Sequence, residues 1–263
     1  MLGRATAAAR RHGPRSLSSL ASLAPVGGVH GSQTRPEARA WRTKALLRVH
    51  GEDLFFRTGK EAVAILTDEL RRRDGEKALY CDHGAHFLRT LAPVFDRSPR
   101  YAWLAKIFLE PERSLSFRVA YIDDTGNTRT NRGFRVQYSS TLGPYEGGLH
   151  FGRHVSSDSV KATAFDATFG NALTGQRLGG AVGGANFEPS LASEAEIQRF
   201  CQSFMTELQK YVGVGRDLPT MGVNVGDAEV GYLYGQYKRT SRDYARHGRG
   251  PRREKGQGPC PST

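Results

Sequence analysis

Three short stretches of the 263-residue chain carry side chains or backbone that could do chemistry. In CDHGAH, Cys81, His83 and His86 lie within six residues of one another. Thiolate and imidazole at that spacing could recruit a metal, but a closed structural zinc site takes four ligands and a fourth is not evident. Asp82 beside them could equally cap a following helix. Residues 143–148 (GPYEGG) and 179–184 (GGAVGG) are glycine-rich, and glycine lets backbone approach a ligand or another strand closely. The first reads most simply as a turn. The second resembles a phosphate cradle, yet it lacks the Lys-Ser/Thr of a P-loop, and no G-x-G-x-x-G opens a βαβ unit. Residues 183–187 read as a short strand or a close backbone crossing. A lone thiol, Cys201, falls on an apolar helical stripe and reads as core rather than nucleophile.

The elements that must position these groups follow from periodicity. Residues 37–113 read as mostly helical. A helix over 59–73 places Ala62, Ile65, Leu66 and Leu70 on one face, and Asp74-Gly75 ends it. A second helix is expected over about 84–94, with Phe87, Leu88 and Leu91 inward. A third, over about 101–109, turns Trp103, Leu104, Ile107 and Phe108 inward before Pro111 stops it. Leu115, Phe117, Val119 and Tyr121 alternate with smaller or polar residues, as do Phe134, Val136 and Tyr138. Asp123-Asp124-Thr125-Gly126-Asn127 between them is turn chemistry, so the pair predicts an antiparallel hairpin. Ser156 or Ser157 caps a predicted helix reaching about Leu173, with Val160, Ala164, Phe165, Thr168, Phe169, Ala172 and Leu173 toward the core. Ser193-Glu194-Ala195-Glu196 is a capping box before the stripe Ile197, Phe200, Cys201, Phe204, Met205, Leu208 and Val212. A strand over 221–225 and a short helix over 228–237 complete the alternation.

Charge separates this region from its flanks. The net charge is +12, but residues 1–36 hold five Arg and no acid, and residues 238–263 carry a net +6, which leaves 37–237 at +1. The basicity therefore belongs to two ends without apolar periodicity, which read as disordered; no nucleic-acid motif accompanies it and no nucleic-acid partner is expected. No apolar run approaches the about 20 residues that span a membrane, so no membrane partner is expected either. The Arg-, Ser- and Ala-rich start suits a mitochondrial or other organellar transit peptide as well as it suits an arbitrary extension; without a leader the chain would be cytoplasmic. Three scattered cysteines make no disulfide framework. The expected organisation is a disordered 1–42, a helical 43–113, an alternating α/β domain over 114–239 and a disordered basic tail over 240–263.

From about Thr90 to Arg239 the motifs DDTGNTRTNRGFRVQ, GPY-x-GGL, RFCQSFMTELQ and VGYLYGQYKR stand in one order. In this the chain resembles the hexameric, NADP-type glutamate dehydrogenases of the Glu/Leu/Phe/Val dehydrogenase family. The resemblance implies a single mixed-sheet α/β domain that binds the amino acid and makes subunit contacts. It also implies the family reaction, NADP-linked interconversion of L-glutamate with 2-oxoglutarate and ammonia. That reaction needs cations for two carboxylates, a lysine of depressed pKa and a carboxylate to move protons.

The residues at those positions are replaced. The PYKGG lysine falls on Glu146, which puts like charge beside a substrate carboxylate, about 1–4 kcal/mol unfavourable at 4 Å. The Gln and Lys of FEQxFK fall on Ala167 and Gly170, and the catalytic lysine of GGxKGG falls on Val182. The Gly-Asp pair of VPAGDIGVG falls on Met221 and Gly222, and the Arg of GGLRF falls on His150. The family's dinucleotide-binding Rossmann domain is not expected in this chain, so NADP, the family cofactor, would not be bound by it alone. The expected role is a catalytically inactive, truncated relative that forms homo-oligomers or hetero-oligomers with a full-length dehydrogenase. The alternatives are a non-functional gene fragment, an active oxidoreductase completed by another chain, or a small-molecule sensor with a reshaped pocket.

Overall fold

A computed structural model describes residues 45–49 and 52–241. The readings made for residues 1–42, and for the tail beyond Ser241, lie outside the described residues. The first described element is an antiparallel pair, β1 (Ala45–Val49) and β2 (Glu52–Phe56). Four helices follow, α1 (Gly59–Asp74), α2 (Ala78–Thr90), α3 (Ala92–Arg97) and α4 (Arg100–Phe108). Thr58 caps α1, its Oγ1 accepting from the Glu61 N–H at 3.2 Å.

The second half is built on one mixed sheet in the order β3-β4-β6-β5-β7. β3 (Arg113–Ile122) and β4 (Thr128–Ser139) form the hairpin that alternation predicts. Its turn is tied by Asp123 Oδ1, which accepts from the Thr125 and Asn127 N–H groups at 3.0 and 2.8 Å. Gly126 supplies the φ of 84° that closes it. β4 pairs antiparallel with β6 (Gly179–Ala185), and β6 pairs parallel with β5 (Tyr145–Phe151). β5 also pairs parallel with the edge strand β7 (Asp217–Thr220). Parallel neighbours need crossovers, and helices supply them. α5 (Ser157–Leu173) joins β5 to β6, and α6 (Glu194–Leu208) runs between β6 and β7. α7 (Asp227–Thr240) packs on α6 and closes the described chain. No helix among the described residues is long and apolar enough to cross a membrane.

The period of two divides the sheet between two cores. Phe134, Val136 and Tyr138 of β4, with Val182 of β6, join a cluster with Leu66, Leu70, Leu88 and Phe165 of α1, α2 and α5. Val119, Leu149, Phe151 and Ala185 join the opposite cluster with Phe200, Cys201, Phe204 and Leu208 of α6 and Leu233 of α7. The α6 stripe is therefore the core that its spacing predicts. Cys201 is fully buried and burial pushes its thiol up to about 12, far from nucleophilic.

Several sequence expectations need correction. Residues 45–49 and 52–56 form strands where helix was expected. α2 begins at Ala78 and not near Gly84, so Asp82 lies inside the helix and caps nothing. Gly84 is buried mid-helix against Leu70; a Cβ there would stand 2.6 Å from Leu70 Cδ2. On α4 the inward face is Ala102 and Ala105, while Trp103, Leu104 and Ile107 are exposed. Leu173 is likewise exposed at the end of α5. The sequence 145–148 belongs to strand β5 and not to a turn. The last strand is 217–220; residues 221–225 form a tight turn bridged between Gly222 and Val225.

Candidate functional site

The residues singled out in sequence fall along β5 and its neighbours: the end of α5 reaches the first residues of β5 and β6, while the 221–225 turn packs on the far end of β5. Glu146 is half-buried on β5, and its backbone carbonyl accepts from Asn171 Nδ2 of α5 at 3.3 Å. The same amide donates to Gly179 O at 2.7 Å, so one side chain ties α5 to both strands. Ala167, one turn before Asn171 on α5, and Gly170, immediately before it, offer no hydrogen-bonding side chain. Val182 is 3% exposed and belongs to the apolar core, its Cγ2 standing 3.5 Å from where a Cβ on Gly147 would lie. Met221 is exposed on the turn and Gly222 packs against His150, a Cβ there falling 2.8 Å from His150 Nδ1.

His150 is a structural acceptor. Its Nδ1 takes the Val223 N–H at 2.9 Å, which pins the turn to β5 and leaves the ring proton on Nε2. Burial, then Arg135 and His154 nearby, hold its pKa below the ordinary imidazole value, so the ring is neutral at neutral pH.

The strongest electrostatic feature is one that the sequence reading missed. Arg135 is fully buried between the sheet and α6, and its Nε donates to Asp217 Oδ2 at 3.1 Å while Nη2 donates to Oδ1. Arg135 Nη1 donates to the carbonyls of Gly147 and Gly148 at 3.1 and 3.4 Å, and Gln137 Nε2 donates to Asp217 Oδ2 at 2.7 Å. A bidentate guanidinium pair spanning β4 and β7 fixes the register of β5 between them. All three nitrogens of this cation donate to the protein itself. Arg135 and Gln137 alternate with apolar residues, and that pattern reads as a solvent face; nothing in the sequence announced a buried acid at position 217.

The arrangement positions backbone. At the seven positions that the dehydrogenase pattern makes chemical, it presents one carboxylate, one neutral histidine, one apolar core residue, an exposed thioether, an alanine and two glycines. Nor do these residues fit a dinucleotide. The glycine-rich β6 is paired on both sides, to β4 and to β5, and is buried throughout. Its N–H groups serve the sheet ladder and not a pyrophosphate. The cysteine–histidine cluster disperses as well. Cys81 is buried with Sγ toward Asp74 O at 3.2 Å, while His83 Nδ1 pairs with Asp166 Oδ2 at 2.7 Å on α5. No group of three or more His, Cys, Asp or Glu able to hold a metal occurs among the described residues.

Comparison with known proteins gives this architecture its relatives. The model of the Glu/Leu/Phe/Val dehydrogenase dimerisation domain matches residues 111–239. An NADP-specific glutamate dehydrogenase of Chlorella sorokiniana is 45% identical over 179 residues, 68% of this chain and 34% of that protein. One from Giardia intestinalis is 43% identical over 187 residues, 71% of this chain and 41% of that protein. The crystal structure of Plasmodium falciparum glutamate dehydrogenase superposes with a TM-score of 0.68 at 40% identity, covering 69% of this chain and 39% of that one. The chain thus spans between a third and about two fifths of the length of these relatives. Through residues 111–239, the chain belongs to the Glu/Leu/Phe/Val dehydrogenase family.

Proposed function

We propose that this protein is a glutamate dehydrogenase-like subunit without dehydrogenase chemistry of its own, acting through association with other subunits. The observation that carries the reading is Val182: an apolar side chain, 3% exposed, stands where the family resemblance puts a catalytic lysine. Valine neither transfers a proton nor holds an anion. Gly222, in place of the family's carboxylate, cannot act as acid or base, and Glu146 repels a substrate carboxylate. Losing one general acid or base costs typically a factor of 100 or more. Association is supported by the family model, which describes this domain as one of dimerisation. The proposed partners are further copies of the chain or a full-length dehydrogenase, which would hold the NADP. Neither nucleic acid nor membrane is proposed as a partner. The Arg-rich start supports an organellar, for example mitochondrial, location, which fluorescent fusion with and without residues 1–42 tests.

In a spectrophotometric assay, the purified chain is expected to give no glutamate-dependent reduction of NADP above a protein-free control; measurable turnover would overturn the reading. Co-expression with a full-length glutamate dehydrogenase is expected to yield a complex that survives affinity purification of either component. A second reading is favoured by the share of the relatives' length that this chain spans. On it, the chain is one piece of an oxidoreductase completed by another chain, and turnover appears only when the two are mixed.

A further inference from the structure

The β3-β4 hairpin holds a feature that neither core nor cleft uses. The register sets Arg118 directly opposite Arg132. Directly opposed residues in an antiparallel pair have Cβ atoms about 4.5–5.5 Å apart, and like charges there are destabilising. Both arginines are exposed. Other arginines of this region have partners. Arg113 donates to Gln137, Arg129 to Asp123, Arg135 to Asp217 and Arg199 to Asp124. Among the described residues neither Arg118 nor Arg132 has an ion pair. The hairpin's acids, Asp123 and Asp124, are already engaged by Arg129 and Arg199. Both arginines line a hollow of about 420 Å³ with Ser116, Phe117, Thr130, Asn131 and Asn186, and no acid lines it. Asn186 holds this wall: its Oδ1 accepts from the Arg132 N–H at 2.7 Å and its own N–H donates to Arg132 O at 3.2 Å.

We infer that this hollow is an oxyanion site for a small phosphate-bearing molecule. Two guanidinium forks side by side, flanked by two hydroxyl donors, match a doubly charged group with several acceptor oxygens. Such a group removes the repulsion between the arginines and satisfies their N–H donors at once. The site lies on the hairpin and not along β5, β6 and the 221–225 turn, where the family's substrate positions fall, so it is independent of the proposed function.

Thermal melts and titration calorimetry with inorganic phosphate test it, with chloride of equal ionic strength as control. Phosphate is expected to raise the melting temperature of the unaltered protein and to bind at one site per chain. Arg118→Ser or Arg132→Ser should weaken that binding about tenfold or more, the scale of one charge-assisted hydrogen bond. In phosphate-free buffer neither variant should lower the melting temperature, because each relieves the repulsion. Arg132→Lys, which keeps the charge and loses the fork, should bind at an intermediate level. A protein whose melting temperature ignores phosphate overturns the inference, and that arm needs no variant. So do variants that bind phosphate as tightly as the parent. Loss of subunit association in Arg118→Ser without phosphate binding by the parent would assign the arginines to an acidic side chain of a second copy. Binding of a short DNA oligonucleotide without phosphate binding would assign them to nucleic acid. Either outcome overturns it.

Discussion

A lysine at position 182 would have to bury an ammonium ion where the valine packs in the apolar core. Val182→Lys is therefore expected to lower unfolding stability by about 2–4 kcal/mol in urea, the scale of an unpaired buried charge, and to restore no turnover. A variant as stable as the parent would show that position 182 does not lie in the apolar core, and glutamate-dependent activity in it would show that Val182 alone silences the chemistry. Among the described residues one lysine is buried, and it shows what that requires. Lys161 is 3% exposed, with Nζ 2.9 Å from Asp74 Oδ1 and 4.2 Å from the centroid of the Tyr80 ring. Burial would raise the Asp74 pKa, but hydrogen bonds from Lys161, Arg73 and Lys77 outweigh it and hold the carboxyl at about 2. A carboxyl depressed below its unfolded value of about 3.9 stabilises the fold fully above that value. Stability should therefore fall as pH drops from about 4 toward 2, and Asp74→Asn should remove the Asp74 share of this dependence while Asp123, also held at about 2, keeps its own. That variant should also cost about 3–5 kcal/mol, because Lys161 is left buried without its carboxylate. None of this was legible in the sequence. Lys161 sits among apolar helical positions, which flags it, but its partner is 87 residues away and only the fold brings the two together.

Elements with strong periodicity were legible, and those set by close backbone approach were not. α1, the β3-β4 hairpin and α6 each bury one stripe or one alternate set, and each was readable. β5 was not, because Gly147 and Gly148 read as turn residues until β6 and β7 are known to flank them. α4 misled because its large residues face outward while its alanines face the core, an inversion that helix spacing cannot detect. Glycine in β6 has a packing reason. A Cβ on Gly180 would fall 2.1 Å from Thr168 Oγ1 and 2.4 Å from Thr168 Cα, so α5 lies directly on the strand. Gly180→Ala should push α5 away and cost about 1–3 kcal/mol, as overpacking does. Denaturant melts read the cost. Thr168→Gly should relieve only part of the loss, because Thr168 Cα, a backbone atom, stays in the way; a helix α5 that does not lie on β6 would leave Gly180→Ala without cost.

For the molecule as a whole, the outward face of α4 decides what association predicts. Tyr101, Trp103, Leu104 and Ile107 are 51%, 59%, 51% and 61% exposed, four large apolar side chains on one short helix. Contiguous apolar patches of this kind on a soluble surface mark interaction sites. The region from 37 to 237 carries a net +1, so charge repulsion does little to keep two copies apart. A second apolar area, with Val214, Leu218, Met221 and Tyr234, flanks β7 and α7, and Pro219 guards that edge against strand pairing. Helix α4 carries no such guard. Sedimentation of the purified chain is therefore expected to give a multiple of its 28.9 kDa at micromolar concentration. Trp103→Glu should shift the mass to that of one chain while leaving the circular dichroism unchanged, since the side chain contributes to no core. If Trp103→Glu keeps the parental mass and Met221→Glu dissociates it, the contact lies at the β7 edge instead. A parent protein that sediments as a single chain would remove self-association from the proposed function and leave a full-length dehydrogenase as the proposed partner.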